Sequence, residues 1–216
     1  MHPDQLEFVA RVKAVFPGHF RGARVLEIGS LDINGSVRAL FEGGEYVGVD
    51  VAPGPGVDRV CRGEDLDDPP ASFDTVISCE VMEHNPRWRE TFRNMIRLCR
   101  PGGLVVMTCA TTGRAEHGTS RSIPGNSPLT VGLGQEYYRN LTARDFEEAG
   151  GTAGLAAHAF FENWRKFDLY FVGSPAPLDE EQRRGVAALA ASYRRASFGT
   201  WKGLRRFLWA RYRARS

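Results

Sequence analysis

The feature that most constrains the fold is an alternation of short apolar runs with helix-like stretches. Five apolar runs lie in the first half of the chain, at residues 23–30, 45–51, 57–61, 73–81 and 104–110. Helix-like stretches cover residues 36–43 and 87–99, and Pro101-Gly102-Gly103 ends the second. Strands and helices that alternate at this length predict βαβ units, that is, a parallel sheet with helices on both faces. The predicted fold class is therefore α/β.

Further elements flank this alternation. Apolar side chains at helical spacing predict an amphipathic helix from Pro3 to Phe16. Residues 111–140 are polar and glycine-rich without clear periodicity, and so long a loop in a compact domain is either a functional lid or disordered. Thr142 can cap a following helix. The remaining predicted elements are two strand-like runs and a last helix, at residues 154–164, 167–174 and 178–196.

The length of the chain suits one domain. A fold of 216 residues hides roughly 70% of the surface that its unfolded chain would expose. We expect a single domain at residues 1–177, with the lid at 111–140, followed by a basic helical tail at 178–216. No segment approaches the ~18 uninterrupted apolar residues of a membrane span, and the N-terminus lacks the form of a signal peptide. A cytoplasmic location is the expectation.

The four cysteines are scattered and never paired as C-x-x-C. Three of them lie in or beside apolar runs, where a cysteine usually serves as a small hydrophobic side chain. We therefore expect buried thiols rather than a metal or catalytic site at Cys61, Cys79, Cys99 and Cys109.

The first predicted strand ends in an unusual turn, "RVLEIGSLDINGS", at residues 24–36. In an open parallel sheet the first βα turn usually borders the ligand site. A dinucleotide fold needs a second glycine here so that a pyrophosphate can approach bare backbone. Asp32 stands near that position, and its carboxylate would repel a pyrophosphate but attract an ammonium or sulfonium group. Glu27 adds another negative charge, so an ordinary NAD-dependent dehydrogenase is disfavoured.

Asp50 ends the second predicted strand, in "YVGVD". It follows Gly29 by 21 residues, close to the separation at which an acid binds the ribose hydroxyls of an adenosine cofactor. An adenosyl group with a cationic tail describes S-adenosylmethionine.

Four segments taken together resemble a known family. "VLEIGS", "YVGVD", "FDTVISCEVMEH" and "LCRPGGLVVMT" are similar, in order, to the motifs of class I S-adenosylmethionine-dependent methyltransferases. The similarity covers roughly residues 20–110, and the missing second glycine of the first motif is the departure from the family. The resemblance implies a Rossmann-like sheet of seven strands in the order 3-2-1-4-5-7-6, with the seventh strand antiparallel.

The same resemblance implies a set of cofactor contacts. Glu27 and Gly29 would contact the methionine end and Asp50 the ribose. Glu64 or Asp65 would accept from the adenine amino group. The choice stays open because, in one alignment with the family, Arg62 falls at the position of the family's acid. The other candidate cofactor contacts lie in the first turn and at the end of the fourth strand: Ser30, Asp32, Gly35 and Cys79.

The stretch "CEVMEHN" at residues 79–85 carries the candidate catalytic chemistry. If the chain turns helical after the strand, Glu80, Glu83 and His84 share one face at i, i+3, i+4 spacing. The pattern is similar to the E-x-x-E-H metal sites of small-RNA terminal 2'-O-methyltransferases and ubiquinone-pathway O-methyltransferases. His117 in the lid is the candidate fourth ligand. Carboxylates with imidazole suit Mg²⁺ first, and Mn²⁺ or Zn²⁺ otherwise.

Two other interpretations of this motif stay open. E-V-[LIM]-E-H also occurs in class I members without a metal, where His84 would be a general base or a passive neighbour of the cofactor. The candidate catalytic residues are accordingly His84, Glu83 and His117.

The composition of the lid bears on the methyl acceptor. A flat hydrophobic acceptor would need apolar walls, but the lid is polar until Tyr137 and Tyr138. This favours an O-methyltransferase acting on a small sugar, glycoside or oligosaccharide, and the chain resembles bacterial sugar O-methyltransferases, including those of polymethylated polysaccharide synthesis. The alternatives are an RNA 2'-O-methyltransferase and a non-catalytic cofactor-binding module.

The tail is basic. Residues 193–216 contain eight Lys or Arg and no acid, and Trp201, Leu204, Leu208 and Tyr212 recur at helical spacing. Such a helix can dock on its own domain, lie on an anionic membrane or pack in a homodimer; nucleic-acid binding is the least favoured.

Overall fold

Seven strands form one mixed sheet. The computed structural model describes residues 3–148, 150–199 and 201–213. The strand order β3-β2-β1-β4-β5-β7-β6 confirms the predicted topology. β1 to β5 run parallel, and β7 is antiparallel to both β5 and β6. The strands are β1 (Val25–Ile28), β2 (Tyr46–Asp50), β3 (Arg59–Val60), β4 (Phe73–Cys79), β5 (Cys99–Ala110), β6 (Ala157–Asn163) and β7 (Asp168–Ser174).

Helices cover both faces of the sheet. They are α1 (Pro3–Val15), α2 (Trp88–Leu98), α3 (Pro128–Gly132), α4 (Ala143–Glu148), α5 (Glu180–Phe198) and α6 (Trp201–Arg213). Phe92 of α2 and Phe146 of α4 belong to one buried cluster, while Phe8 of α1 and Tyr193 of α5 belong to a second. Because successive side chains of a strand point to opposite faces, β5 supplies alternate residues to the two clusters: Val105 and Met107 to the first, Leu104 and Val106 to the second.

The predicted helix at residues 36–43 is wrong. Only a 3₁₀ turn, Val37–Leu40, forms there, with the Ser36 hydroxyl accepting from the amide of Arg38 at 3.0 Å. Phe41 is already extended and stacks on Phe20 with 4.4 Å between ring centroids. Since the Glu42 amide also donates to the Phe20 carbonyl at 2.9 Å, tertiary contacts pull the chain out of the helix after one turn.

Other boundaries differ by a few residues. The predicted edge strand at 57–61 has only two paired residues, and β5 begins at Cys99 rather than at Leu104. Within the lid, residues 111–140 contain a 3₁₀ turn at Pro124–Asn126 and the short helix α3. The last predicted helix begins at Glu180 and ends at Phe198. None of the helices in the described ranges is both long enough and apolar enough to span a bilayer.

Candidate active site

A cleft opens at the carboxyl ends of β1, β2 and β4. It encloses about 1220 Å³, including space open to solvent at its mouth. The first turn forms one wall, Asp50 and the 61–64 segment form the next, and the end of β4 forms the floor. Lid residues Asn126–Thr130 and Gln135 lie across from the first turn. The lid therefore borders the cleft.

Glycine is required at the start of the first turn. Gly29 has a φ of +81°, and a Cβ there would collide with the side chain of Val81. The amides of Gly29 and Ser30 both donate to the Val49 carbonyl, at 2.8 and 3.1 Å. These bonds hold the turn against β2 and leave Ser30 and Gly35 on the cleft wall.

Asp32 does not lie where the sequence suggested. Its Oδ1 accepts from the Gly35 amide at 2.7 Å, and the residue is exposed outside the cleft. A short side chain that accepts a bond from a backbone amide a few residues on stabilises a turn. The structure thus gives Asp32 a local role in shaping the turn and does not bring it to the ligand space.

Glu27 lies on the cleft wall and is 3% exposed. Its Oε2 accepts from the Tyr46 hydroxyl at 2.8 Å. Burial raises the pKa of Glu27 to about 7, although the bond from Tyr46 and the charge of Arg38 oppose the shift. A carboxylate that is costly to ionise alone is well suited to a cationic ligand group, because the cation restores its charge balance.

Asp50 is half-buried at the end of β2 and lines the cleft. Its Oδ2 accepts from the Leu31 amide at 3.1 Å, and its Oδ1 accepts from its neighbour Val51 at 2.7 Å. Burial raises the pKa of the carboxyl group, and these two amides lower it. The bond to Leu31 ties the second strand to the first turn.

The two candidate acids that the sequence left open, Glu64 and Asp65, differ in their position relative to the next wall of the cleft. Glu64 lines the cleft, and its Oε2 accepts from Asn85 at 3.0 Å and from Thr91 at 2.8 Å. Asp65 lies outside the cleft and pairs with Arg87 at 3.1 Å. Of the two candidates, Glu64 alone lines the cleft.

Arg62 and Gln135 both line the cleft, and the contact between them was not predicted from the sequence. The guanidinium of Arg62 hydrogen-bonds to the side-chain amide of Gln135 in the lid, so the lid contacts the wall formed by the 61–64 segment. No sequence signal links two residues 73 positions apart.

Glu83, His84 and His117 meet at the inner edge of the cleft. One ligand atom from each lies within 4.8 Å of the others, and all three residues are buried. Glu83 and His84 belong to the 3₁₀ turn Met82–His84 that follows β4, and His117 comes from the lid. The histidine rings are 5.1 Å apart between centroids, and Tyr138 packs against both. The structure thus brings together three of the four predicted ligands.

Glu80 is not part of this group in the described chain. It has a φ of +58°, and its Oε1 accepts from the Thr108 hydroxyl at 3.0 Å. The predicted i, i+3, i+4 face requires a continuous helix from Glu80, but the helical turn begins only at Met82. The sequence prediction that Glu80 converges with the other three is therefore wrong, although Glu80 still lines the cleft.

Two buried atoms of this group have no hydrogen-bond partner: Oε2 of Glu83 and Nδ1 of His84. Oε1 of Glu83 accepts from the Ala110 amide at 3.0 Å. Burial raises the pKa of Glu83 well above its usual value, with the charge of Glu80 adding to it, and burial lowers the pKa of His84 to about 3. Buried polar atoms are normally paired, so the two orphaned atoms and the carboxylate–imidazole set fit a divalent cation.

Cys79 lies on the floor of the cleft, where it is buried. Burial raises the pKa of its thiol well above the usual value, so the thiol stays protonated. None of the four cysteines forms a disulfide, and all are at least half-buried.

The fold and the cleft define a class I methyltransferase: a 3-2-1-4-5-7-6 sheet, a glycine turn after the first strand, and an acid at the end of the second. Residues 3–155 match the family model described as a methyltransferase domain, and the chain belongs to that family. Among curated proteins, none matches the sequence significantly.

Solved structures of methyltransferases share the fold. One is a Haemonchus contortus phosphoethanolamine N-methyltransferase 2 in complex with S-adenosylhomocysteine, 22% identical over 76% of this chain and 40% of that one, with a TM-score of 0.54. The CurJ carbon methyltransferase is 17% identical over 73% and 50%, with a TM-score of 0.51. A putative sarcosine dimethylglycine methyltransferase from Galdieria sulphuraria is 14% identical over 81% and 87%, with a TM-score of 0.52. The chain thus spans half or less of the first two.

Proposed function

We propose that the protein transfers a methyl group from S-adenosylmethionine to a hydroxyl group of a small sugar, glycoside or oligosaccharide. The observation that carries the proposal is the buried group of Glu83, His84 and His117 at the edge of the cofactor cleft, with its two unpartnered atoms. An alcohol needs a base or a metal to become a nucleophile. The side chains of this group can act as a base or bind a metal.

The cleft walls support an S-adenosylmethionine site. In our proposal Glu27 binds the ammonium group of the methionine end, where a cation offsets the cost of its buried charge. The backbone of the turn at Gly29, Ser30 and Gly35 lines the space in which the ligand would lie. Asp50 receives the ribose hydroxyls, and Glu64 lies on the wall where the adenine would be bound. A bound S-adenosylhomocysteine in the Haemonchus structure supports the same ligand class.

Glu83, His84 and His117 would hold a divalent cation, with Mg²⁺ the first candidate. When bound, such an ion lowers the pKa of an acceptor hydroxyl. The lowered pKa keeps the His84 imidazole neutral at physiological pH, as ligation requires. Gly118 allows this packing, since a Cβ there would lie 2.7 Å from Cε1 of His84.

The residues of the chain then mainly position the reactants. Methyl transfer is an in-line displacement, in which the acceptor oxygen forms a bond to the methyl carbon as the bond to sulfur breaks. In the lid, Asn126, Ser127 and Thr130 offer hydroxyl and amide groups to a polyhydroxylated acceptor, beside the apolar Pro128 and Leu129. The polar groups favour a carbohydrate over a flat aromatic acceptor.

The second candidate function is RNA 2'-O-methylation, which rests on the same buried ligand group of Glu83, His84 and His117, although Glu80 of the E-x-x-E-H sequence is not part of it. It predicts affinity that falls steeply with salt, because phosphate contacts release counterions. A non-catalytic module would bind S-adenosylhomocysteine without turnover with any acceptor.

The test is a screen of methyl acceptors with labelled S-adenosylmethionine, beginning with mono- and disaccharides, with and without Mg²⁺. His84→Ala and Glu83→Gln should abolish turnover and metal stimulation while the affinity for S-adenosylhomocysteine stays the same. His158→Ala is the matched control, since His158 is exposed on β6 away from the cleft. A turnover rate that is unchanged by a chelator contradicts the metal site, and turnover on RNA alone contradicts the carbohydrate acceptor.

A further inference from the structure

Helix α6 packs on the domain through the face that carries its small residues. Gly203 and Ala210 are buried, and the ring of Phe207 packs against Trp164 with 5.2 Å between centroids. The opposite face is exposed: Trp201 and Tyr212 are each 73% exposed and Leu208 is 55% exposed. The apolar stripe that the sequence predicts for this helix therefore faces outward for the most part.

Among the residues that the structure describes, exposed apolar side chains are more concentrated on this stripe than elsewhere on the surface. Exposed large apolar side chains elsewhere are scattered along the sequence, at Leu6, Ile33, Val60, Ile123 and Leu133. Five others fall within fifteen consecutive residues, at Phe198, Trp201, Leu208, Trp209 and Tyr212, and three of these, Trp201, Leu208 and Tyr212, share one face of α6. A contiguous apolar surface rimmed by polar groups marks a site of interaction with a partner or a membrane.

The charge around the stripe is of one sign. The sequence of α6 contains no acid and five basic residues, Lys202, Arg205, Arg206, Arg211 and Arg213. Arg205 is exposed and follows Trp201 by four residues, so it lies on the same face as the stripe. Arg206 donates to the Arg165 carbonyl in the β6–β7 turn, where Arg165 is exposed and the neighbouring Lys166 pairs with Asp4 at 3.3 Å.

We propose that α6 lies on an anionic lipid surface, with Trp201, Leu208 and Tyr212 inserted between the headgroups and Arg205 at the level of the lipid phosphates. An amphipathic helix with Trp and Leu on one side and arginines around them is the chemistry that anionic bilayers recognise. The long arginine stems can cover apolar surface while their charges reach the phosphates.

The same charges disfavour the other occupants. In a symmetric dimer both copies would present the same patch, so the two copies of the exposed Arg205 would come together, and the sequence has no acid between Tyr193 and Ser216 to neutralise them. A nucleic acid would pair with the arginines but would leave Leu208 exposed to water.

The experiment measures binding of the full chain to phosphatidylcholine vesicles with and without phosphatidylglycerol, by co-sedimentation and tryptophan fluorescence. Trp88 and Trp164 are 1% and 5% exposed, so a blue shift on binding reports Trp201 and Trp209. We expect binding to the anionic vesicles, a blue shift that Trp201→Ala largely removes, and weaker binding at high salt.

Substitutions of exposed residues separate the apolar contribution to vesicle binding from the electrostatic contribution without changing the core. Leu208→Ala should lower the partition coefficient by about tenfold, and Arg205→Gln should lower it by about fivefold on anionic vesicles only. Leu6→Ala, an exposed leucine on α1, is the matched control and should bind like the unaltered chain.

The following outcomes would overturn the proposal: no binding to anionic vesicles; equal binding by the Leu208→Ala variant; or a solution dimer that Leu208→Ala dissociates while vesicles stay unbound. Binding to single-stranded RNA without vesicle binding would assign the basic surface to nucleic acid instead.

Discussion

At the residue scale, protonation of the Glu27 carboxyl group should be coupled to ligand binding in the cleft. Its pKa of about 7 lies above the ordinary value of 4.5, so the folded chain without ligand retains a proton that the unfolded chain releases. The contribution of Glu27 to the stability of the ligand-free protein should therefore fall as pH rises from about 4.5 to about 7, and stay level above that. A ligand ammonium favours the ionised carboxylate, so affinity for S-adenosylhomocysteine should rise over the same interval.

Glu27→Gln tests this coupling. The variant keeps an oxygen for the Tyr46 hydroxyl but cannot ionise, so its affinity for S-adenosylhomocysteine should lose the rise with pH that Glu27 contributes and fall roughly 30-fold at pH 8. Its ligand-free form should gain stability above pH 7, by at most about 3 kcal/mol. Calorimetric titrations from pH 5 to pH 8 and urea unfolding measure both effects. An unchanged affinity at pH 8 would exclude Glu27 from the ammonium site.

Gly29 presents a second test at this scale. Gly29→Ala places a Cβ against Val81 at a φ of +81°, and the backbone strain alone costs about 1–3 kcal/mol. We expect a lower free energy of unfolding and weakened binding of S-adenosylhomocysteine. The double variant Gly29→Ala/Val81→Ala should recover part of the loss, because it removes the collision but not the strain. Gly18→Ala, which has no neighbour within 4 Å, is the control.

At the element scale, local sequence patterns located most strands and long helices but not the turns that follow the strands. The spacing of Glu80, Glu83 and His84 describes one helical face, but the chain leaves β4 through a positive φ at Glu80 and becomes helical only at Met82. His117 lies beside His84, as predicted for a shared site, but this contact depends on a lid whose polar sequence has no periodicity. For α6, the helical spacing identified the apolar stripe but could not show that glycine and alanine form the docked face.

Helix α5 shows how a local motif fixes an element. Asp179 Oδ1 accepts from the Gln182 amide at 2.8 Å, while the Gln182 side chain accepts from the Asp179 amide at 3.0 Å. This capping box satisfies two helix-end amides. Asp179→Ala should lower the free energy of unfolding by about 1 kcal/mol, measured by urea denaturation. Asp179→Asn retains the acceptor and should lose little; equal losses in the two variants would contradict the capping role.

At the scale of the whole molecule, the sheet order was predictable and the lid was not. Buried strands such as β4 and the 104–110 part of β5 are rich in apolar residues, and the four family-like motifs lie on the strands and turns that set the topology. The lid is positioned by tertiary contacts such as Arg62 with Gln135, and by Arg114, which pairs with the buried Asp168 at 2.8 Å. Contacts between residues so distant in sequence leave no local pattern, so the acceptor side of the cleft required the structure.

Ligand binding should be visible in the stability of the whole molecule. A ligand that binds only the folded chain stabilises it by about 2.7 kcal/mol at one hundred times its dissociation constant, which for a domain of this size corresponds to roughly 5–10 °C in melting temperature. We expect this shift with S-adenosylhomocysteine and not with NAD, since the first turn lacks the glycine that a pyrophosphate requires. Asp50→Asn should reduce the shift, because its amide replaces one ribose acceptor with a donor. A shift with NAD that equals the shift with S-adenosylhomocysteine would mean that the cleft recognises only the adenosine they share, and Glu27 would then have no part in ligand selection.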